Sequence, residues 1–375
     1  MTRRQAVLAG LLAVLVLAGA ITLLVARGRD HRAPHRLLAG DTAPSTTSST
    51  ELTTTTDLPA TTTARAAATT PLKRTATTAP GGYAGPRGGI AFVSGEASTG
   101  TEGISVMDAD GTHLRRIADF DQARTASRPD SPWFGGNGFS GLAWSPAGDL
   151  IAAGRDGKYG GGLEVMRPDG SGRRTLVFDS GVEHPTFSPD GRWIAYDNPG
   201  AHLATSGPGQ VMVIGVDGHD QHPLGTAVTP GDPAWSPDGT LIAIESGDHL
   251  TLVRPDGTVV QSIPAPANTS TSSPAWSPDG QWISFTAVAP TTTPDYTADI
   301  FELHPDGSGL VRVTDNHDYS TGASWSPEGA RLVFTRSTPA AGGSSPPQLW
   351  TVQPDGDGQR PLPAGPDSAS QPAWR

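Results

Sequence analysis

Six copies of one short strand pattern, six copies of each of three companion strands, and a chain that enters and leaves part-way through the cycle predict an all-β fold. That fold is a six-bladed β-propeller of four-stranded blades over residues 87–375, closed by the C-terminal strand joining the first blade. Residues 1–30 precede it as an apolar segment with its flanks, and residues 31–86 as a linker rich in threonine, proline and alanine.

The first strand type reads Leu142-Ala143-Trp144-Ser145, then Pro185-Thr186-Phe187-Ser188, Pro233-Ala234-Trp235-Ser236, Pro274-Ala275-Trp276-Ser277, Ala323-Ser324-Trp325-Ser326 and finally Pro372-Ala373-Trp374. The second follows a tight turn at Leu150 to Ala153, Trp193 to Tyr196, Leu241 to Ile244, Trp282 to Phe285 and Arg331 to Phe334. Its sixth copy, Ile90 to Val93, stands first in the chain with no preceding partner. The third type is Ile104 to Met107, Leu163 to Met166, Val211 to Ile214, Leu250 to Val253, Ile300 to Leu303 and Leu349 to Val352. A weaker fourth follows each Asp-Gly turn, near Leu114 to Ile117, Arg174 to Val177, His222 to Thr226, Val259 to Ile263, Leu310 to Val313 and Arg360 to Leu362. Because the cycle starts on its second strand and ends on its first, Pro372 to Trp374 must complete the N-terminal sheet. Both chain ends then share one sheet, with no open seam at which it could fray.

The Ser-Pro-Asp-Gly turns have a backbone role: proline presets the first central position, aspartate suits the next, and glycine takes the left-handed position that returns the hairpin to register. Ser145-Pro146-Ala147-Gly148 and Ser326-Pro327-Glu328-Gly329 keep proline and glycine while varying the acid, which argues against a ligand role for it. None of the Asp-Gly turns continues as a calcium loop with further oxygen ligands at fixed spacing. Trp144, Trp235, Trp276, Trp325 and Trp374 recur once per repeat, with Phe187 in the sixth place, as expected of packing between blades.

The cycle Pro233-Ala234-Trp235-Ser236-Pro237-Asp238-Gly239, an Ile-Ala strand, then a strand ending in Asp-Gly resembles the TolB-like, WD40-like propeller repeats over all of 87–375. The resemblance implies the propeller and an innermost Trp-Ser strand, and leaves function open, since such scaffolds serve unrelated tasks. TolB-like proteins carry a folded N-terminal domain that takes part in partner binding; here an apolar segment and a threonine stalk stand in its place.

From Ala6 to Ala26 no residue is charged, a length that as a helix spans a roughly 30 Å hydrocarbon core. Two readings stand. Arg3, Arg4 and Ala18-Gly19-Ala20 fit a cleaved signal peptide and hence a secreted protein, whereas the apolar run on to Ala26 favours a single-pass membrane anchor. Arg27, Arg29, Arg32 and Arg36 outnumber Arg3 and Arg4, which by the positive-inside rule points the chain inward. The N-terminal position and the stalk-like sequence that follows favour an extracytoplasmic propeller. The 16 threonines between Asp41 and Pro80 leave too little apolar area to offset backbone ordering, so a disordered linker is expected there, with a composition that also suits O-glycosylation.

The 375 residues contain no cysteine, which excludes disulfides, thiolate metal sites and a thiol nucleophile. Before Pro86 there are 9 basic and 4 acidic residues; after it, 17 and 33. So acidic a domain lacks the basic stripe that nucleic acid requires.

The topology puts the short turns on one face and the long insertions, Gln122 to Gly141, Asp197 to Gln210, Ala287 to Ala298 and Ser337 to Pro347, on the other. Binding usually sits on long loops held by a rigid scaffold. The partner-binding candidates are therefore Arg128, Trp133 and Phe134 in the first insertion and Asp295 and Tyr296 in another. Glu183, His184 and Asp232 just before innermost strands, and Tyr319 ahead of the fifth Trp strand, complete the set. No Gly-x-Ser-x-Gly elbow occurs, and His219-x-x-His222 beside Asp217 and Asp220 reads as a solvated turn, so no catalytic residue, metal or cofactor is assigned. The expected function is a monomeric, membrane-tethered, non-catalytic propeller of the cell envelope that binds protein, peptide or glycan. Two other readings remain: a lyase or hydrolase using metal or carboxylates in the central channel, and a structural envelope module.

Overall fold

The computed structural model describes residues 89–96, 101–119, 137–157, 161–179, 181–198, 209–225, 231–289, 297–340, 343–363 and 365–375. The anchor and linker segments, with Arg128, Trp133, Phe134, Asp295 and Tyr296, lie outside them. Among the described residues every regular element is a strand, and no helix is long and apolar enough to cross a membrane.

The strands form four-stranded antiparallel ladders in chain order, numbered here as sheets one to six. Sheet one joins Ser368–Trp374 to Ile90–Glu96, Thr101–Met107 and Arg115–Asp119. Sheet two runs Asn137–Trp144, Ile151–Gly157, Gly162–Met166, Arg174–Val177. Sheet three runs Glu183–Phe187, Trp193–Asn198, Gln210–Gly215, His222–Pro223, and sheet four Pro233–Trp235, Ile242–Glu245, His249–Val253, Val259–Pro264. Sheet five runs Ser270–Trp276, Ile283–Val288, Ala298–Leu303, Val311–Arg312, and sheet six Tyr319–Trp325, Leu332–Ser337, Gln348–Val352, Arg360–Pro361. The last two touch through a single parallel bridge between Ala298 and Tyr319. A small hairpin, Pro339–Ala340 with Gly343–Ser344, stands apart.

Burial explains the strand sequences. Second and third strands are buried without alternation, as in Ile90-Ala91-Phe92-Val93 and Gly162–Met166, where the one charge, Glu164, pairs with Arg155 at 3.2 Å and Arg173 at 2.6 Å, because each sheet is covered on both faces by its neighbours. The core is accordingly a series of interfaces. One cluster packs Ala91, Val93 and Ile104 of sheet one on Phe139, Ile151 and Met166 of sheet two. Another packs Val333 and Leu349 of sheet six on Ile90, Phe92 and Ala369 of sheet one. The fourth strands of sheets three, five and six are exposed and shorter than the sequence suggests, and in two of them Pro223 and Pro361 lack the amide hydrogen that would extend the ladder.

Each Ser-Pro-x-Gly turn is built alike. In sheet four the Gly239 N–H donates to the Ser236 carbonyl at 2.9 Å with Gly239 at φ 73°, which closes the turn and returns the strand to register. The Ser236 hydroxyl donates to Asp238 Oδ1 at 2.6 Å and accepts the Leu241 N–H at 3.0 Å. Aspartate is thus a turn acceptor, held below its usual pKa by the Ser236 hydroxyl and the Thr240 amide. Where Ala147 replaces it, Ser145 donates instead to Asp149 at 2.8 Å. Ser236→Ala is expected to cost about 1–2 kcal/mol in urea denaturation, the net value of two local hydrogen bonds, with the fold retained.

The tryptophans tie sheet to sheet. Trp144 Nε1 donates to the Ala373 carbonyl at 3.1 Å, Trp276 Nε1 to that of Ala234 at 3.0 Å, and Trp325 Nε1 to Ser284 Oγ at 3.0 Å, each reaching the preceding sheet.

Candidate functional site

The six first strands converge on one cavity of roughly 310 Å³, with Trp144, Thr186, Trp235, Trp276, Ser324 and Trp374 among its lining. Five of those strands run from a mouth of this channel towards a Ser-Pro-x-Gly turn, and the sixth, Ser368–Trp374, runs the same way to Arg375.

Three residues before the aromatic stand, in order around the mouth, Gln371, Gly141, His184, Asp232, Ser273 and Gly322. All but Asp232 have positive φ, from 47° at His184 to 88° at Gly141, at the points where the ladders to the second strands shift register. The bulge turns this residue out of the ladder, and its partners come from neighbouring sheets. Gln371 Oε1 accepts the Gly141 N–H at 2.5 Å. A Cβ on Gly141 would lie 2.7 Å from the His184 Cα, so only glycine fits against that histidine. His184 Nδ1 pairs with Asp232 Oδ1 at 2.6 Å, and Asp232 Oδ2 accepts the Ser273 N–H at 2.9 Å and its hydroxyl at 3.3 Å. A single carboxylate thereby clasps sheets three, four and five.

The fifth residue of the second strand, counted from Trp193, Leu241, Trp282 or Arg331, lies next to the residues of this mouth. In sheets five and six it is Thr286 or Thr335, whose hydroxyl accepts the N–H of the next sheet's bulge residue, Gly322 or Gln371, both at 3.1 Å. In sheet three it is Asp197, which accepts the Gly231 N–H at 3.1 Å, and in sheet four it is Glu245.

The charges couple. Burial would push the His184 imidazole down, but the Asp232 carboxylate more than offsets it, with Glu183 and Asp197 adding, and raises its pKa to about 9. Asp232 is held below its usual value, since the attraction of His184 and the Ser273 hydrogen bonds outweigh its burial. Asp197 is raised to about 6 and Glu245 to about 7, both mainly by burial and then by the nearby Asp232 charge.

Of the residues expected from sequence, Glu183, His184 and Asp232 are brought together, with Glu183 Oε2 at 3.9 Å from His184 Nδ1. Tyr319 begins the first strand of sheet six, opposite Ser337 and three residues ahead of Gly322. Asp197 and Glu245 were not expected. Their signal was a charge closing an otherwise apolar second strand, in Ile194-Ala195-Tyr196-Asp197 and Ile242-Ala243-Ile244-Glu245. His219 and Asp217, 3.5 Å apart, are solvent-exposed in their turn. Among the described residues no group of three or more His, Asp or Glu side chains is placed to hold a metal ion.

No family profile matches the chain. A stretch of 107 residues is 39% identical to the Tol-Pal system protein TolB of Gluconobacter oxydans (strain 621H), covering 28% of this chain and 23% of that protein. The crystal structure of TolB from Acinetobacter baumannii superposes with a TM-score of 0.58 at 17% identity, over 76% of this chain and 66% of that one. The fold is that of a TolB-like β-propeller. A TolB-type structure from Agrobacterium tumefaciens gives a TM-score of 0.51 at 19% identity, over 74% of this chain and 88% of the other. A chain of the nidogen/laminin complex gives 0.53 at 11% identity, over 76% and 98%. The chain therefore matches about a quarter of the curated relative's length, and at such identities the solved structures speak to its fold.

Proposed function

We propose that residues 87–375 form one closed ring of six blades that binds a protein, peptide or glycan partner without catalysis, on the face where the channel mouth and the long insertions meet. The observation that carries this reading is the mouth itself. On blades three and four, ionisable side chains occupy ring positions that the other blades fill with glycine, serine, threonine, glutamine or valine. The fold does not require those charges, and uncompensated buried charge is costly, so a binding role accounts for them. Arg128, Trp133 and Phe134, with Asp295 and Tyr296, belong to insertions of the same face and supply further contacts, as does Tyr319. Residues 1–30 anchor the chain in the cell membrane, and 31–86 hold the propeller away from it on the extracytoplasmic side. The partial identity to a Tol-Pal system protein supports an envelope role.

The reading is tested by placing a photo-crosslinking amino acid at position 183, beside the mouth, or at position 238, in a turn on the opposite face. Partner adducts in cells are expected from 183 and not from 238. Equal adducts from both, or none from 183, would overturn it.

A further inference from the structure

The repeats allow each position at the mouth to be compared across blades within one chain. Thr286 and Thr335 reveal what the fold asks of the fifth residue of a second strand: an oxygen that caps the next blade's amide. Asp197 performs that task for Gly231 and adds a charge that threonine would not. Glu245 does not perform it, because the Ser273 amide is already taken by Asp232. Two carboxylates thus stand where an uncharged residue suffices, next to His184 and Asp232, which line a cavity large enough to admit side chains.

The surroundings of this pair are asymmetric. Blade three contributes Glu183 and His184 along with Asp197, and blade four contributes Asp232 along with Glu245. On the flanking blades the equivalent bulge residues, Gly141 and Ser273, are uncharged. His184 and Asp232 neutralise each other in a close pair whose geometry spans three blades. The remaining carboxylates leave that sector of the mouth negative once they ionise.

We infer that the mouth is a pH-regulated docking surface: the His184–Asp232–Ser273 clasp fixes its shape while Asp197 and Glu245 set its charge, so that it takes up a positively charged protein segment in neutral medium and releases it in mildly acidic medium. This regulation rests on the binding role proposed for the mouth. Charge complementarity selects the partner, since an anionic segment would meet repulsion where a lysine or arginine side chain meets attraction. Burial lifts Asp197 to about 6 and Glu245 to about 7, so their charge changes in the range where the clasp stays paired, with His184 at about 9 and Asp232 low.

The test uses the full-length protein and tetralysine as the probe, with affinity measured by calorimetry at about pH 5 and about pH 8 in low salt, where screening is weakest. Saturable binding is expected, about tenfold tighter at the higher pH, the effect of two added charges at close range. In the Asp197→Thr/Glu245→Thr double variant, which copies blades five and six, the ratio should fall below about twofold with the unfolding transition intact. Asp197→Asn, which keeps an acceptor for the Gly231 amide, guards against misfolding and should lower the ratio on its own. Equal affinity at both pH values, a ratio that survives in the double variant, or no saturable tetralysine binding would overturn the inference. If crosslinking from position 183 still captures a partner in those cases, the mouth remains the binding surface and only its charge regulation is lost.

Discussion

Removing residues 368–375 is expected to abolish cooperative folding of the propeller rather than trim its edge. The strand Ser368–Trp374 pairs antiparallel with Ile90–Glu96, with Ile90 opposite Trp374 and Gly95 opposite Ser368. It and Arg375 also bond to sheets two and six and to the start of sheet one. The Ala373 carbonyl accepts the Trp144 indole, the Trp374 N–H donates to Ser324 Oγ at 2.9 Å, and the Arg375 N–H donates to the Gly89 carbonyl at 3.1 Å. Ala369 is fully buried in the cluster that packs sheet six on sheet one. Several hydrogen bonds at about 1 kcal/mol net each, together with the lost packing, come to on the order of 5 kcal/mol or more, comparable with the total stability of a domain. Deleting residues 1–86 removes none of these contacts and should leave the melting temperature within a few degrees. Scanning calorimetry of the two truncations side by side decides the matter. A 1–367 chain that melts within about 3 °C of the intact protein would show that the propeller does not depend on the strand Ser368–Trp374.

Why the fold could be read from sequence while the site could be read only in part is a matter of which interactions are local. Ser-Pro-Asp-Gly encodes its own hairpin: proline, the serine hydroxyl, the aspartate acceptor and the left-handed glycine all act within six residues. Repetition of that unit, with an aromatic at a fixed offset, is enough to place the strands and their order. Glu183, His184 and Asp232 were legible for the same reason, since they immediately precede first strands whose position in the repeat puts them at one end. Asp197 and Glu245 sit on second strands, which read as core. That they lie next to the mouth depends on register against the first strand, such as Glu183 opposite Asp197, which the pattern of apolar residues does not specify. The clasp itself joins residues 48 and 41 positions apart through a bulge, and a bulge leaves no mark in hydrophobic periodicity.

Asp232→Ala is expected to be the most costly single substitution at the mouth, about 3–5 kcal/mol, because it strands a charged His184 and frees the Ser273 amide at once. His184→Gln/Asp232→Asn should recover much of that loss, since neither side chain is then charged and the new amide's carbonyl oxygen at position 232 can still accept from Ser273. The pair also imposes a pH dependence with a definite sign. His184 has a folded pKa of about 9, above its unfolded value, so its contribution is complete below the unfolded pKa and is lost as pH rises through 9. Asp232 is shifted downward, so its contribution is present above its unfolded pKa and is lost as acid takes pH down through the lowered folded value. Asp197 and Glu245 are shifted upward by burial, and each therefore gives up stability as pH climbs through about 6 and about 7. From mildly acidic to alkaline medium the three raised groups act in the same direction, so the propeller should be more stable near pH 6 than near pH 9.5, with His184 contributing about 2 kcal/mol after allowance for solvent screening. Urea denaturation of the wild type and the double variant at about pH 6, 8 and 9.5 separates the terms. The variant should keep the part of the slope that belongs to Asp197 and Glu245 and lose the part above pH 8, because only His184 titrates there among the groups at the mouth with shifted pKa values. A wild-type slope that is flat above pH 8, or one that the double variant reproduces, would mean that the three-blade clasp is held by its hydrogen bonds alone.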